Sequence, residues 1–264
     1  MCTITFPVLA LDTFSTCDIR GNTQFEDYTV SNDAWGINKL KGDPKTTMIC
    51  ISSNISEDAS ITMKAIWNMG EPQHTVLAYP RISYGWDFND HSSTKNLPIK
   101  ISKITYLTSK AHYIITAYDR FNVSYDIWLS QQETPKKEDL KVEMMIWTDW
   151  QNASPPGKKI STVQLGDETY DIYKGKVSLG DWDYIAVVIN YKNKETIVKS
   201  LTDAISNRIQ SSKNIDIKKI LDMLIEQRVI NNDYYLNGIS FGSEIQGGSG
   251  VLNIESYQVK ITSN

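Results

Sequence analysis

Glu143, Glu244 and Asp126 are three acids, each set in a short stretch of strand-forming residues. Glu143 lies in Lys141-Val142-Glu143-Met144-Met145-Ile146-Trp147, and Glu244 in Ile239-Ser240-Phe241-Gly242-Ser243-Glu244. Side chains alternate between the two faces of a strand. Glu143, Met145 and Trp147 therefore share one face, and Val142, Met144 and Ile146 the other. In the second segment Glu244, Gly242, Ser240 and Gly238 share a face opposite Phe241, Ile239 and Asn237, and the small residues leave room for something bulky to approach. In Tyr125-Asp126-Ile127-Trp128-Leu129, Asp126 and Trp128 share a face opposite Tyr125, Ile127 and Leu129. An apolar back with carboxylate, thioether and indole in front is what the floor of a sugar-binding cleft requires. Two carboxylates facing one cleft are the minimum equipment for cleaving a glycosidic bond. Either glutamate alone also fits the solvated face of an antiparallel strand. Three acids on three aromatic-rich strands favour the cleft.

The elements that position these acids are mostly strands. From Thr29 to Ser130 the chain breaks into short β-rich runs separated by turn-formers, among them Thr47 to Ser52, Ser60 to Met69, Ile99 to Thr108 and Tyr113 to Tyr118. Such spacing predicts a sandwich or jelly roll. Gln131 to Glu138 and Gln151 to Lys159 are polar connections, and the second follows the Glu143 strand closely enough to cross the cleft mouth. One stretch departs from the β pattern. Ile217, Ile220, Leu221, Leu224 and Ile225 recur at helical spacing and predict one main amphipathic helix packed on the outer sheet. Ile197, Leu201, Ala204, Ile205 and Ile209 show a weaker version of that period and suggest a second.

At 264 residues with 41% hydrophobic content, the chain fits a single all-β domain, 1–264, with a substantial core. Residues 1–16 read as an N-terminal extension or a first strand; the apolar Met1 to Ala10 lacks a basic start and a clear cleavage site, and fits the tail of a trimmed signal peptide or the first strand. A net charge of −4 gives no electrostatic footprint for nucleic acid or an anionic membrane. No apolar run is long enough to span a bilayer. His74, His91 and His112 have no ligand spacing and no Cys-x-x-Cys occurs, so no catalytic metal is expected. Three cysteines, Cys2, Cys17 and Cys50, leave the pairing open on count alone. The Asn-x-Ser/Thr triplets at Asn54, Asn122 and Asn152 matter only in a eukaryotic secreted protein. Fourteen tyrosines and seven tryptophans exceed the needs of packing, and sugar rings stack on aromatic faces.

In order along the chain come Cys17-Asp18, Tyr28-Thr29-Val30-Ser31-Asn32-Asp33-Ala34-Trp35-Gly36, Cys50, Ile66-Trp67-Asn68, Tyr79-Pro80-Arg81-Ile82, Ser124 to Trp128, Glu143 to Trp147, and Phe241-Gly242-Ser243-Glu244 followed by Gly247 and Gly248. With these motifs the chain resembles glycoside hydrolase family 12, the compact endoglucanases and xyloglucanases, from about Cys17 to the C-terminus. The resemblance implies a concanavalin-like jelly roll of two curved antiparallel sheets, with substrate across the concave one. It implies Glu143 as nucleophile, Glu244 as acid/base, and Asp126 bonded to the nucleophile region. Asn32, Asp33, Trp35, Trp67, Met145, Trp147 and Pro155 become candidate substrate contacts, with Trp35 stacking a sugar on the non-reducing side. It pairs Cys17 with Cys50, which implies an oxidising compartment and a secreted enzyme. The expected reaction is retaining, endo-acting hydrolysis of β-1,4-glucan by a monomer that needs no cofactor. It requires the two carboxyls about 5–5.5 Å apart.

The chain departs from the family pattern in four places. Asp33 stands where a second Asn is common, and Arg20 where some members carry Trp. Ser154-Pro155-Pro156-Gly157 replaces a Pro-Ile-Gly turn, and Tyr191 to Asn214 is longer than in compact members. These bear on which glucan is cut. Xyloglucan-specific cleavage or transfer to another sugar is the alternative within enzymes, and a non-catalytic carbohydrate-binding protein the alternative outside them.

Overall fold

The computed structural model describes residues 13–37, 47–55, 60–88, 91–177, 180–191 and 208–264. In chain order the strands are β1 (Thr13–Thr16), β2 (Asn22–Phe25), β3 (Tyr28–Ser31), β4 (Met48–Ile55), β5 (Ile61–Asn68), β6 (Arg81–Gly85), β7 (Ile99–Lys100) and β8 (Ile104–Ala117). They continue with β9 (Phe121–Ser130), β10 (Leu140–Gln151), β11 (Lys158–Leu165), β12 (Glu168–Lys176), β13 (Asp183–Ile189), β14 (Arg208–Asp216), β15 (Tyr235–Ile245) and β16 (Ser249–Ser263). Helix α1 (Ile217–Glu226) lies between β14 and β15. The smaller sheet runs β1-β4-β5-β16-β8-β14. The larger runs β11-β12-β13-β10-β9-β15-β6-β3-β2, with β7 on the start of β15. The fold is the expected two-sheet sandwich. Among the described residues its strand pairs are antiparallel except one: β13 lies parallel to β10, Glu143 opposite Tyr184, because the β11–β12 hairpin carries the chain back to start β13 in the same direction.

Strand parity explains the core. Phe121, Val123, Tyr125, Ile127 and Leu129 of β9 and Val142, Met144 and Ile146 of β10 all face inward. They meet Ile61, Met63, Ala65 and Trp67 of β5 and Ile115 of β8 in one contiguous apolar layer between the sheets. The expected break between Thr108 and Tyr113 does not exist. Its polar residues Lys110 and His112 alternate with buried Ala111 and Tyr113, so the two runs join in β8. At β15 the parity slips once, since a bulge between Leu236 and Gly238 puts Leu236 in the core and leaves Asn237 to accept a hydrogen bond from Ser130 Oγ.

Helix α1 starts where Asp216 accepts a bond from the Lys219 amide at 3.0 Å, as an N-cap should. It buries Ile217, Ile220, Leu221, Met223 and Leu224 and packs on β8. Of the suggested second helix, Ile209 lies in β14, where it alternates with the exposed Arg208 and Gln210; the other four positions lie outside the described residues. Cys17 and Cys50 form the disulfide that the resemblance implied, across a separation of 33 residues. Cys2 lies outside the described residues.

Candidate active site

On the face of the larger sheet turned away from the core lies a cleft of about 960 Å³. Its lining reaches from Trp35 and Asp33 after β3, across Arg81, Glu244, Asp126, Glu143 and Trp147, to Tyr184, Ser154 and Pro156. β9 is the middle strand of the site. β10 flanks it on one side with Glu143 opposite Trp128, and β15 on the other with Glu244 opposite Asn122. Asp126 lies on β9 between those two registers. The parity that buries Tyr125 and Ile127 therefore turns all three acids into one cleft.

Each acid has one donor of its own. Trp182 Nε1 donates to Glu143 Oε2 at 2.8 Å, Trp128 Nε1 donates to Asp126 Oδ2 at 3.0 Å, and Asn122 Nδ2 donates to Glu244 Oε2. Asn122 is fixed in turn by Ser124 Oγ, which donates to its Oδ1 at 2.9 Å. Asp126, expected to bond the nucleophile region, is bonded to Trp128 instead and feels the charge of Glu143. Burial dominates the titration of all three. It pushes Glu143 up to about 7, with the Trp182 bond opposing and the Glu244 charge adding to the rise. It pushes Glu244 up to about 7 against the Asn122 bond. It holds Asp126 well above the usual carboxylate range, aided by the charges of Glu143 and Glu244 and opposed by Arg81 and Trp128.

These shifts carry a stability consequence. Glutamates in the unfolded chain release their protons near 4.5, whereas Glu143 and Glu244 hold theirs to about 7. Across that window these two groups bind more protons in the folded state than in the unfolded one, so their contribution to stability is greatest on the acid side and falls as pH rises. Glu143→Gln should therefore melt above the parent at pH values above about 7, with the difference gone below about 4.5. A variant that melts lower than the parent at alkaline pH would contradict the shift.

The other candidates separate by burial. Trp35 is 37% exposed on the cleft wall. Trp35→Ala should weaken oligosaccharide binding by about 1 kcal/mol, roughly fivefold, while the melting temperature stays put. A large stability loss with binding intact would make it a packing residue. Trp147 lines the floor; Met145 lies on the same face but is covered, packed with Trp147 and Tyr184 and accepting a bond from the Tyr184 hydroxyl at 3.3 Å. Ser154 and Pro156 line the cleft, whereas Pro155 between them does not.

Three further sequence expectations are corrected. Asn32 does not reach the cleft: it is fully buried, and its Nδ2 donates to the Asp18 and Ile49 carbonyls, tying β3 to the disulfide-linked segments. Trp67 is core, because odd positions of β5 point between the sheets, and its ring packs on Gly250. The glycines beside Glu244 do not open space for substrate. A Cβ at Gly242 would lie 2.1 Å from the Pro80 carbonyl, and one at Gly238 2.1 Å from that of Trp86, so both serve the close approach of neighbouring backbone.

Asp33 is on the wall, and its carboxylate is paired with Arg81 Nη1. Arg81 also donates from Nε and Nη2 to Asp87 Oδ1, at 3.1 and 2.8 Å, and stacks 5.4 Å from the Tyr79 ring centroid. Arg81, Asn122 and Trp182 were not singled out as site residues from sequence. Asn122 was readable, since it shares the alternating face of Ser124, Asp126 and Trp128. The triplet it heads is buried, unlike the exposed Asn54 and Asn152.

The sequence model of glycosyl hydrolase family 12 matches residues 26–262, nearly the whole chain. The chain belongs to glycosyl hydrolase family 12. It is a glycoside hydrolase, and the paired glutamates are the chemistry expected of one. Among family 12 relatives it is similar to endoglucanase S of Pectobacterium parmentieri, 27% identical over 240 residues that cover 89% of this chain and 81% of that protein. It is also similar to xyloglucan-specific endo-beta-1,4-glucanase A of Emericella nidulans, 22% identical over 241 residues, 89% of this chain and 86% of that one. In fold it matches the family 12 xyloglucanase of Bacillus licheniformis with a TM-score of 0.75 at 23% identity, covering 95% of this chain and all of that chain.

Proposed function

We propose that this protein is an endo-acting, retaining hydrolase of β-1,4-glucan, with Glu143 as nucleophile and Glu244 as acid/base. The observation that carries this reading is the placement of the two glutamates on the strands either side of β9, on the floor of a cleft that crosses the sheet. Such a cleft suits attack within a chain rather than at its end.

Ionised Glu143 attacks the anomeric carbon while Glu244 protonates the departing oxygen. A glycosyl ester on Glu143 results, and the leaving chain diffuses away. Glu244, now a carboxylate, takes a proton from a water molecule that attacks the same carbon and frees Glu143. The Trp182 indole favours the ionised nucleophile, because it can only donate. Burial, with the charges of Glu143 and Glu244, holds Asp126 well above the usual carboxylate range, which limits the negative charge it adds beside Glu143. Trp35 stacks a sugar ring, Trp147 forms the floor, and Asp33, bound by Arg81, holds the wall beside Trp35. The two carboxyls complete the reaction without a cofactor.

The same reading makes residues 1–264 one domain acting as a secreted monomer. One contiguous core supports the single domain, and the Cys17–Cys50 bond suits an oxidising compartment. Among the described residues no helix is long and apolar enough to cross a membrane.

Reducing-sugar release from carboxymethyl cellulose, mixed-linkage glucan and xyloglucan, measured in parallel with viscosity, tests the function. Rapid loss of viscosity on an unbranched glucan is the expected result. Release from xyloglucan alone would narrow the substrate to the one named for the Emericella nidulans relative. Binding without release from any of them would leave a carbohydrate-binding protein.

A further inference from the structure

Two of the three site acids receive their hydrogen bonds from indoles that touch one another. The Trp128 and Trp182 rings meet edge to face, with centroids 5.2 Å apart and planes at 82°. Trp182 N–H goes to Glu143 and Trp128 N–H to Asp126, so one aromatic pair fixes an oxygen on each of two neighbouring carboxyls. Both rings are nearly buried. Trp182 is held from outside by Lys137, whose Nζ lies 5.9 Å from its ring centroid. Beneath it, a Cβ at Gly180 would fall 1.7 Å from the ring, so the ring lies against bare backbone.

An indole N–H donates and never accepts. A bond to it therefore favours the ionised carboxylate and fixes which oxygen is engaged. We propose that Trp128 and Trp182 are a coupled pair of positioning residues: Trp182 orients Glu143 and keeps it ionised, while Trp128 holds Asp126 aside in the same packed unit. Oε2 of Glu143 is held by the indole, which leaves Oε1 as the oxygen that attacks. The other groups that bear on the charge of Glu143 are Asp126 on β9, Glu244 on β15 and Tyr184 on β13. Arg81 reaches it through Asp126. This inference rests on Glu143 being the nucleophile.

Trp182→Phe and Trp128→Phe keep a ring in place and remove one N–H each. Their effects on the acid limb of kcat/KM should differ, and only the first should raise it. Losing the Trp182 bond makes Glu143 harder to ionise, so the limb should move up by about one pH unit, a tenfold loss of rate at a fixed pH on that limb. KM should change little, since neither N–H meets the sugar. Losing the Trp128 bond leaves Asp126 more protonated and relieves repulsion on Glu143, so the limb should stay or move down. Melting curves of both variants show whether packing survives. Should Trp182→Phe fold poorly, a 13C-detected titration of the Glu143 carboxyl in Trp128→Phe reads the same coupling, with a pKa at or below the parent expected. The proposal is overturned if Trp182→Phe leaves the limb in place, or if Trp128→Phe moves the limb or the Glu143 titration upward. Failure of the nucleophile assignment itself looks different, because Glu143→Ala would then retain activity or release a phenol burst from an activated aryl glycoside.

Discussion

Glu143→Ala is expected to lose nearly all turnover on polysaccharide and on activated aryl glycosides alike, because no ester can form without the nucleophile. Glu244→Ala should behave differently. It removes proton donation in the first step and base assistance in the second, each contributing about 10²–10⁴-fold in general acid–base catalysis. Cleavage of unactivated glucan should fall by about 10²–10⁴-fold, since the two steps run in series and the slower one sets the rate. An aryl leaving group of low pKa departs without a proton, so a burst of phenol should survive. Slow release of the glycosyl-enzyme would follow, sped by a small anion such as azide, which needs no general base. A burst in Glu143→Ala and none in Glu244→Ala would reverse the roles. Activity of both variants on polysaccharide would place the chemistry elsewhere.

The largest stability effect is expected at Arg81. The side chain is buried in a strand with no exposed residue, and it is the shared partner of Asp33 and Asp87. Those partners hold its pKa above the ordinary arginine value despite burial. Arg81→Met fills similar volume but leaves two carboxylates without their cation. Removing one partner of a buried ion pair costs about 3–5 kcal/mol. Urea denaturation should show a loss of that size, and Asp87→Asn in the same background should restore part of it. A loss below about 1 kcal/mol, the scale of an exposed pair, would mean that water replaces the guanidinium. Since Asp33 adjoins the segment carrying Trp35, the variant should also bind oligosaccharide more weakly.

What was legible in the sequence follows from parity. Val142, Met144 and Ile146 alternate with Glu143, Met145 and Trp147, and a strand leaves only two faces, so the core and the floor sorted themselves. The helix was legible because its apolar period matches one buried face. Asn32 and Trp67 resemble site residues in type and neighbourhood, yet each points away from the cleft by one step of the same alternation. Trp182 carried no periodic signal, because it precedes β13 in a connection. Its role depends on the parallel return of β13 beside β10, a pairing distant in sequence. Arg81 stood inside a motif, but its value lies in Asp33 and Asp87, which only the folded chain brings to it. The β8 strand was split because its outward residues, Lys110 and His112, resemble a connection when read without their buried neighbours.

The central claim is that Glu143 forms a covalent bond to sugar. Incubation with an activated 2-deoxy-2-fluoro-cellobioside slows both steps, and the good leaving group lets the first proceed, so the intermediate accumulates. Mass spectrometry of the intact protein should then show a gain of one fluorocellobiosyl unit, and peptide mapping should place it on Glu143. A label on Glu244, or undiminished hydrolysis of the probe with no adduct at either glutamate, would contradict the account.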